Sequence, residues 1–103
     1  MQTLFMRSDR RIIQNGQTSV TFTPTEWTII ARLNQTPRAL VSPKQLMRAI
    51  TSQDSNQTDA STYLRTFIFR IKFKLAKIEL NDWLTNQYSK GYLAEYDIPE
   101  KAK

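Results

Sequence analysis

The chain of 103 residues has no cysteine, no histidine, only two glycines, and nine acidic residues against fifteen basic ones. Without cysteine there are no disulfides and no thiol chemistry, and with histidine also missing the usual zinc sites are excluded. The missing histidine removes the commonest general base as well. Two glycines are too few for a glycine-rich phosphate loop. The absence of cysteine fits a reducing compartment. No apolar run approaches the roughly 18 residues that a bilayer span needs, and the first eleven residues are too short and too polar for a signal peptide. The acids are scattered. Close pairs such as Glu79/Asp82 and Glu95/Asp97 lie at polar margins and suggest neither a metal site nor acid–base catalysis. No enzyme is expected, and no cofactor.

What remains is a small basic domain. A hydrophobic content of 40% suits one domain with a modest core, and a net charge of +6 makes an anionic partner plausible. There is no internal repeat. Residues 51–56 and 98–103 read as loop or linker, so the domain is expected over 1–97 with a polar tail at 98–103.

The first third reads as β: a short apolar run at 3–7, a second at 11–14, and an alternating segment at 17–22. Asn15-Gly16 between the last two is a hairpin signal, expected as a type I′ turn with positive φ at both residues. Thr18, Val20 and Phe22 would share one side. Two helix starts then follow with one grammar. Thr23-Pro24-Thr25-Glu26 puts Thr at the N-cap, Pro at N1 and Glu at N3, and Ser42-Pro43-Lys44-Gln45 repeats the arrangement. Each is a capping box, and proline at N1 loses nothing because that N–H has no helical partner. The first helix should run to about Asn34, presenting Trp27, Ile30, Ala31 and Leu33. The second should run to about Thr51, presenting Leu46, Met47 and Ile50. A polar loop at 52–57 leads to a third helix at 59–77, capped by Thr58 or Asp59.

In that third helix Leu64, Ile68, Ile71 and Leu75 recur at spacings of four, three and four, which marks one buried face. The same segment carries Arg65, Arg70, Lys72, Lys74 and Lys77 and no acid after Asp59. A polar break at 79–82 precedes two strands within 83–96, joined by Ser89-Lys90-Gly91, with Gly91 where positive φ is needed. Two helices with a short connection, followed by a hairpin, read as a winged helix-turn-helix of the α+β class: N-terminal antiparallel sheet, three helices and a C-terminal wing.

These pieces resemble the effector domains of OmpR/PhoB-type regulators. The resemblance rests on the NG hairpin, residues 20–27 (VTFTPTEW), residues 40–46 (LVSPKQL), the long helix ending RIKFKL at 70–75, and KGY at 90–92. It covers roughly residues 3–96. It implies a cytoplasmic, sequence-specific transcription regulator that binds double-stranded promoter DNA, as a dimer on tandem half-sites and with RNA polymerase as a further partner. It also implies either a receiver domain outside this chain or, as in ToxR/CadC-like one-component regulators, a membrane anchor. The early Met1 leans toward the second arrangement or a small stand-alone regulator. The chain departs from the family where several consecutive arginines are usual, having Phe67, Phe69 and Phe73 instead. Tyr88 stands where many members carry a wing arginine that enters the minor groove.

The stripe sets the inward direction, so Thr62, Thr66, Phe69, Arg70, Phe73 and Lys77 should point away from the core. Tyr63 and Lys74 fall on one flank, Arg65 and Lys72 on the other. Arg70 is the first candidate for a base contact, because its fork matches guanine O6 and N7, with a phosphate contact as the alternative. Thr62, Tyr63 and Thr66 lie in the N-terminal and middle part that enters the groove in such domains. Lys72, Lys74 and Lys77 are candidates for phosphates, and Lys90 for the minor groove or its phosphates. Ser42 and Lys44 either hold a phosphate at a helix N-terminus or simply cap it, capping being favoured. Trp27 and Trp83 are expected in the core. The wing or the loop after the second helix is expected to cover Phe69 and Phe73; otherwise they contact thymine methyls or a protein.

Overall fold

A reversal at Gly16 builds the first sheet. The computed structural model describes residues 3–51, 60–87 and 90–101, apart from the side chains of 51 and 60–62. Strands β1 (Leu4–Arg7), β2 (Ile12–Asn15) and β3 (Thr18–Thr21) form an antiparallel meander in which Met6 faces Ile13 and Ile13 faces Val20. Asn15 pairs with Thr18, so the turn centres on Gly16 and Gln17, one residue later than expected. Gly16 takes φ +64°, while Asn15 stays in the strand with ordinary φ. The turn is therefore not type I′ on Asn15-Gly16. The Asn15 side chain is used elsewhere: its Nδ2 donates to Ile78 O at 2.8 Å.

Helix α1 (Pro24–Gln35) begins at Thr23 and α2 (Pro43–Thr51) at Ser42, as the two capping boxes require. Both boxes are closed reciprocally. Thr23 N donates to Glu26 Oε1 at 2.9 Å and Glu26 N to Thr23 Oγ1 at 3.3 Å, while Ser42 N donates to Gln45 Oε1 at 2.9 Å and Gln45 N to Ser42 Oγ at 3.1 Å. In α1 the buried face is Trp27, Ile29, Ile30 and Leu33, and Ala31 is exposed, which corrects the expected phase.

Helix α3 (Ala60–Lys77) buries Leu64, Ile68, Ile71 and Leu75 against Leu46, Met47 and Ile50 of α2 and the apolar face of α1. Each fully buried side chain of this size contributes about 1.5–3 kcal/mol relative to exposure. The expected caps Thr58 and Asp59, and the loop at 52–57, lie outside the described residues. The far end of α3 closes as a Schellman motif: Leu80 N donates to Leu75 O at 2.9 Å and Glu79 N to Ala76 O at 3.2 Å. The left-handed position is held by Glu79 at φ +61°, where glycine is usual.

Strands β4 (Leu84–Gln87) and β5 (Gly91–Ala94) form the C-terminal hairpin. Trp83 is fully buried beneath it, its Nε1 donating to Tyr96 O at 2.8 Å. The polar tail expected from residue 98 is instead part of the fold over 98–101. Ile98 is buried and exchanges bonds with the Asn34 side chain at 2.8 and 3.0 Å. Met6 N donates to Pro99 O and Lys101 N to Met6 O, both at 2.9 Å, and Met6 and Glu100 form a parallel bridge.

Candidate nucleic-acid interface

The outward side of α3 is set by its inward stripe. Away from the buried leucines and isoleucines, the exposed residues over 63–77 are Thr66, Phe69, Arg70, Phe73 and Lys77 on the outward side and Arg65, Lys72 and Ala76 toward one flank. The expectation that Phe69 and Phe73 are covered is overturned: they are 72% and 59% exposed. The hairpin packs against α1 and pairs with Val41 in the segment that enters α2, and these two rings stay uncovered. Lys77 Nζ stands 4.8 Å from the centre of the Phe73 ring. The Arg70 guanidinium lies 5.7 Å from the centre of Phe67, a half-buried ring that in turn meets Tyr63 edge-on at 4.9 Å. Tyr63 is thereby tied to the core rather than presented freely.

Lys74 turns away from this surface. Its Nζ donates to Glu26 Oε1 at 2.7 Å and sits 5.5 Å from the Phe22 ring centre. The Glu26 side chain is 1% exposed and that of Lys74 26%. Burial by itself pushes the Glu26 carboxyl up. The Lys74 hydrogen bond, the Thr23 backbone N–H, the nearby ammonium charge and the Thr23 hydroxyl together outweigh burial and hold it below its ordinary 4.5. An ion pair thus clamps α3 to the first turn of α1, and Lys74 is committed to it. No local sequence pattern signals this link, because Glu26 also serves as the capping residue and its partner is 48 residues away.

The wing is positioned by a backbone bridge. Val41 N donates to Tyr92 O at 2.8 Å and Tyr92 N to Val41 O at 2.9 Å, joining β5 to the segment that enters α2. This close approach dictates Gly91: at φ +145°, a Cβ there would lie 2.2 Å from Val41 O. Lys90 is exposed at the hairpin turn, which its N–H closes onto Gln87 O at 2.9 Å. Behind the hairpin, Thr85 donates to Glu95, and Tyr96 Oη donates to Asp82 Oδ1 at 3.2 Å. Burial, the Asp82 charge and that hydrogen bond push the Tyr96 hydroxyl up to about 12. Ser42 is occupied in its capping box and Lys44 is exposed beside it. The side chains of Thr62 and Tyr88 lie outside the described residues.

The described surface therefore exposes Thr66, Phe69, Arg70, Phe73 and Lys77 on the outward side of α3, with Arg65 and Lys72 exposed on its flank, and withdraws Lys74. Among the described residues no group of His, Cys, Asp or Glu is arranged to hold a metal ion, and no helix is long and apolar enough to cross a membrane.

A family model described as transcriptional regulatory protein, C terminal, matches residues 16–94. No curated protein shows significant similarity to the chain. Among solved structures, the C-terminal domain of the nisin resistance regulator NsrR, a lantibiotic response regulator, aligns with a TM-score of 0.74 and 24% identity over 88% of this chain and 90% of its own. The DNA-binding domain of the response regulator AdeR, solved in complex with an intercistronic region, gives 0.74 and 18% over 90% and 94%. The DNA-binding domain of E. coli CadC gives 0.74 and 11% over 93% and 95%. These likenesses are of fold: sheet, three helices and hairpin in the same order.

Proposed function

The chain belongs to the family of C-terminal domains of transcriptional regulatory proteins, and from that premise we propose that it is a sequence-specific, double-stranded DNA-binding transcription regulator. Helix α3 enters the major groove and the β4–β5 hairpin serves as the wing beside it. The observation that carries this reading is the open face of α3, where Arg65, Arg70, Lys72 and Lys77 stand exposed with no acid between Ala60 and Lys77. Such a face suits a polyanion, and base edges are reached only by an element that fits the groove. The AdeR domain, solved with an intercistronic region, supports duplex DNA as the partner. Its role is binding rather than catalysis. Family membership supports extending the reading to a cytoplasmic location, to two copies on tandem promoter half-sites, to contact with RNA polymerase, and to a receiver domain or membrane anchor elsewhere in the regulator.

A second reading, a winged helix that docks a protein through Phe69 and Phe73, draws on the exposure of those rings. Anisotropy titration against duplexes selected from a random pool separates the two. If Arg65, Lys72, Lys77 and Lys90 each neutralise one phosphate, log K against log salt falls with a slope of about −3.6. That corresponds to a loss of about 150-fold between 50 and 200 mM salt. Absence of binding at low salt, or a flat salt response, refutes the DNA reading.

A further inference from the structure

We propose that Phe69, flanked by Phe73, recognises thymine through its 5-methyl group in the major groove. The inference rests on the DNA-binding reading and assigns it a determinant of base preference. Two large rings standing in water on one helix face need a reason. Phe69 and Phe73 are one turn apart and both stand exposed on the side of α3 away from the buried stripe of Leu64, Ile68, Ile71 and Leu75. They cannot be part of this domain's own core.

The surroundings select the occupant. Arg65, Arg70, Lys72 and Lys77 are all exposed around the rings, and no acid lies on the helix. A partner must therefore offer dense negative charge beside an apolar group. The major groove does both: phosphates line its edges, and the thymine methyl is the one apolar group that a base pair presents on its floor. The two rings are not equivalent. Lys77 Nζ lies over Phe73 at 4.8 Å, whereas among the described residues no ring or cation stacks on Phe69, which is the more exposed. Phe69 has its face free for a methyl, and Phe73 carries the cation that would meet the backbone alongside. Arg70, next in sequence, is the candidate for reading guanine, so neighbouring residues would divide polar and apolar readout between them.

The test uses duplexes that the chain itself selects from a random pool, with uracil replacing thymine one position at a time. This removes only the methyl and keeps the base pair. At one or two positions, uracil should weaken binding about fourfold, the value of burying a single methyl. Phe69→Ala should bind the thymine duplex about as weakly as the unmodified chain binds the uracil duplex, and should show no further loss with uracil. Phe69→Leu should retain part of the discrimination. Both variants change an exposed residue and leave the core intact. Binding that ignores uracil at every position overturns this inference while leaving DNA binding in place. Undiminished uracil sensitivity in Phe69→Ala overturns it as well. Failure to bind any duplex brings down the DNA reading and this inference together.

Discussion

Replacing Lys74 with methionine should destabilise the fold by about 2 kcal/mol at pH 7, and the deficit should shrink in acid. The Glu26 carboxylate is 1% exposed and is held by Lys74 Nζ at 2.7 Å and Thr23 N at 2.9 Å. Breaking a buried pair by removing one partner costs about 3–5 kcal/mol, because a buried charge is left uncompensated. Two features lower that figure here: Lys74 is a quarter exposed, so water already screens the pair, and the Thr23 N–H remains in the variant. The pH dependence follows from linkage. In the parent chain the folded carboxyl titrates below its ordinary 4.5. Its contribution is fully present above that unfolded value and is lost as pH falls through the folded one. In Lys74→Met the hydrogen bond and charge that oppose burial most strongly are gone, so the folded carboxyl titrates higher than in the parent. The variant therefore loses less stability than the parent when the group takes up a proton. Urea unfolding of both proteins at pH 7 and pH 4 measures the closing gap. Adding Glu26→Gln to Lys74→Met should restore at least about 1 kcal/mol at pH 7, since the neutral amide still accepts from Thr23. A deficit below about 0.5 kcal/mol at pH 7, a deficit unchanged at pH 4, or a double variant no better than the single would each refute this account of the pair.

Three further substitutions have expected outcomes. Gly91→Ala should lower stability by about 2–4 kcal/mol in thermal or urea unfolding, because the new Cβ would lie 2.2 Å from Val41 O and 2.9 Å from Val41 C, both rigid backbone. Gly16→Ala is the control: at φ +64° with nothing within 4 Å, it should cost only about 1–2 kcal/mol. Arg70→Ala should weaken binding of the preferred duplex by about 1–3 kcal/mol and relax preference at one position in a repeated pool selection. Uniform weakening on all sequences would make Arg70 a phosphate contact.

Much of the fold is legible in the sequence because its signals are local. Pro24 and Pro43 each follow a hydroxyl residue and precede Glu26 or Gln45 by two, and a helix starts at each place. The stripe in α3 needs only periodicity, and it correctly orients Phe69, Arg70, Phe73 and Lys77 toward solvent. What was missed depends on partners distant in sequence. Whether Lys74 stays on the surface is decided by Glu26, and whether Ile98 belongs to a tail or to the core is decided by Asn34. The Asn15-Gly16 signal gives a hairpin but shifts its register by one, with Asn15 paired to Thr18 and its side chain bonded to Ile78 O. The end of α3 carries no glycine, yet Glu79 adopts the left-handed conformation while Leu75 and Leu80 are buried together. The exposure of the two phenylalanines depended on where the hairpin docks, and the Val41–Tyr92 bridge decides that.

The docking of 98–101 along β1 has a mechanical consequence. The chain enters at β1 and leaves beside it in the same direction, with Met6 bonded on both sides to Pro99 and Lys101, and Ser8 gripping the Glu100 carboxylate at 2.6 and 2.8 Å. Tension applied between the two ends therefore pulls neighbouring parallel segments past one another. The bonds at Met6 and Ser8 share that load in shear instead of opening one after another as a peeled antiparallel pair would. A tug on either flank is met at this seam before it reaches the three helices.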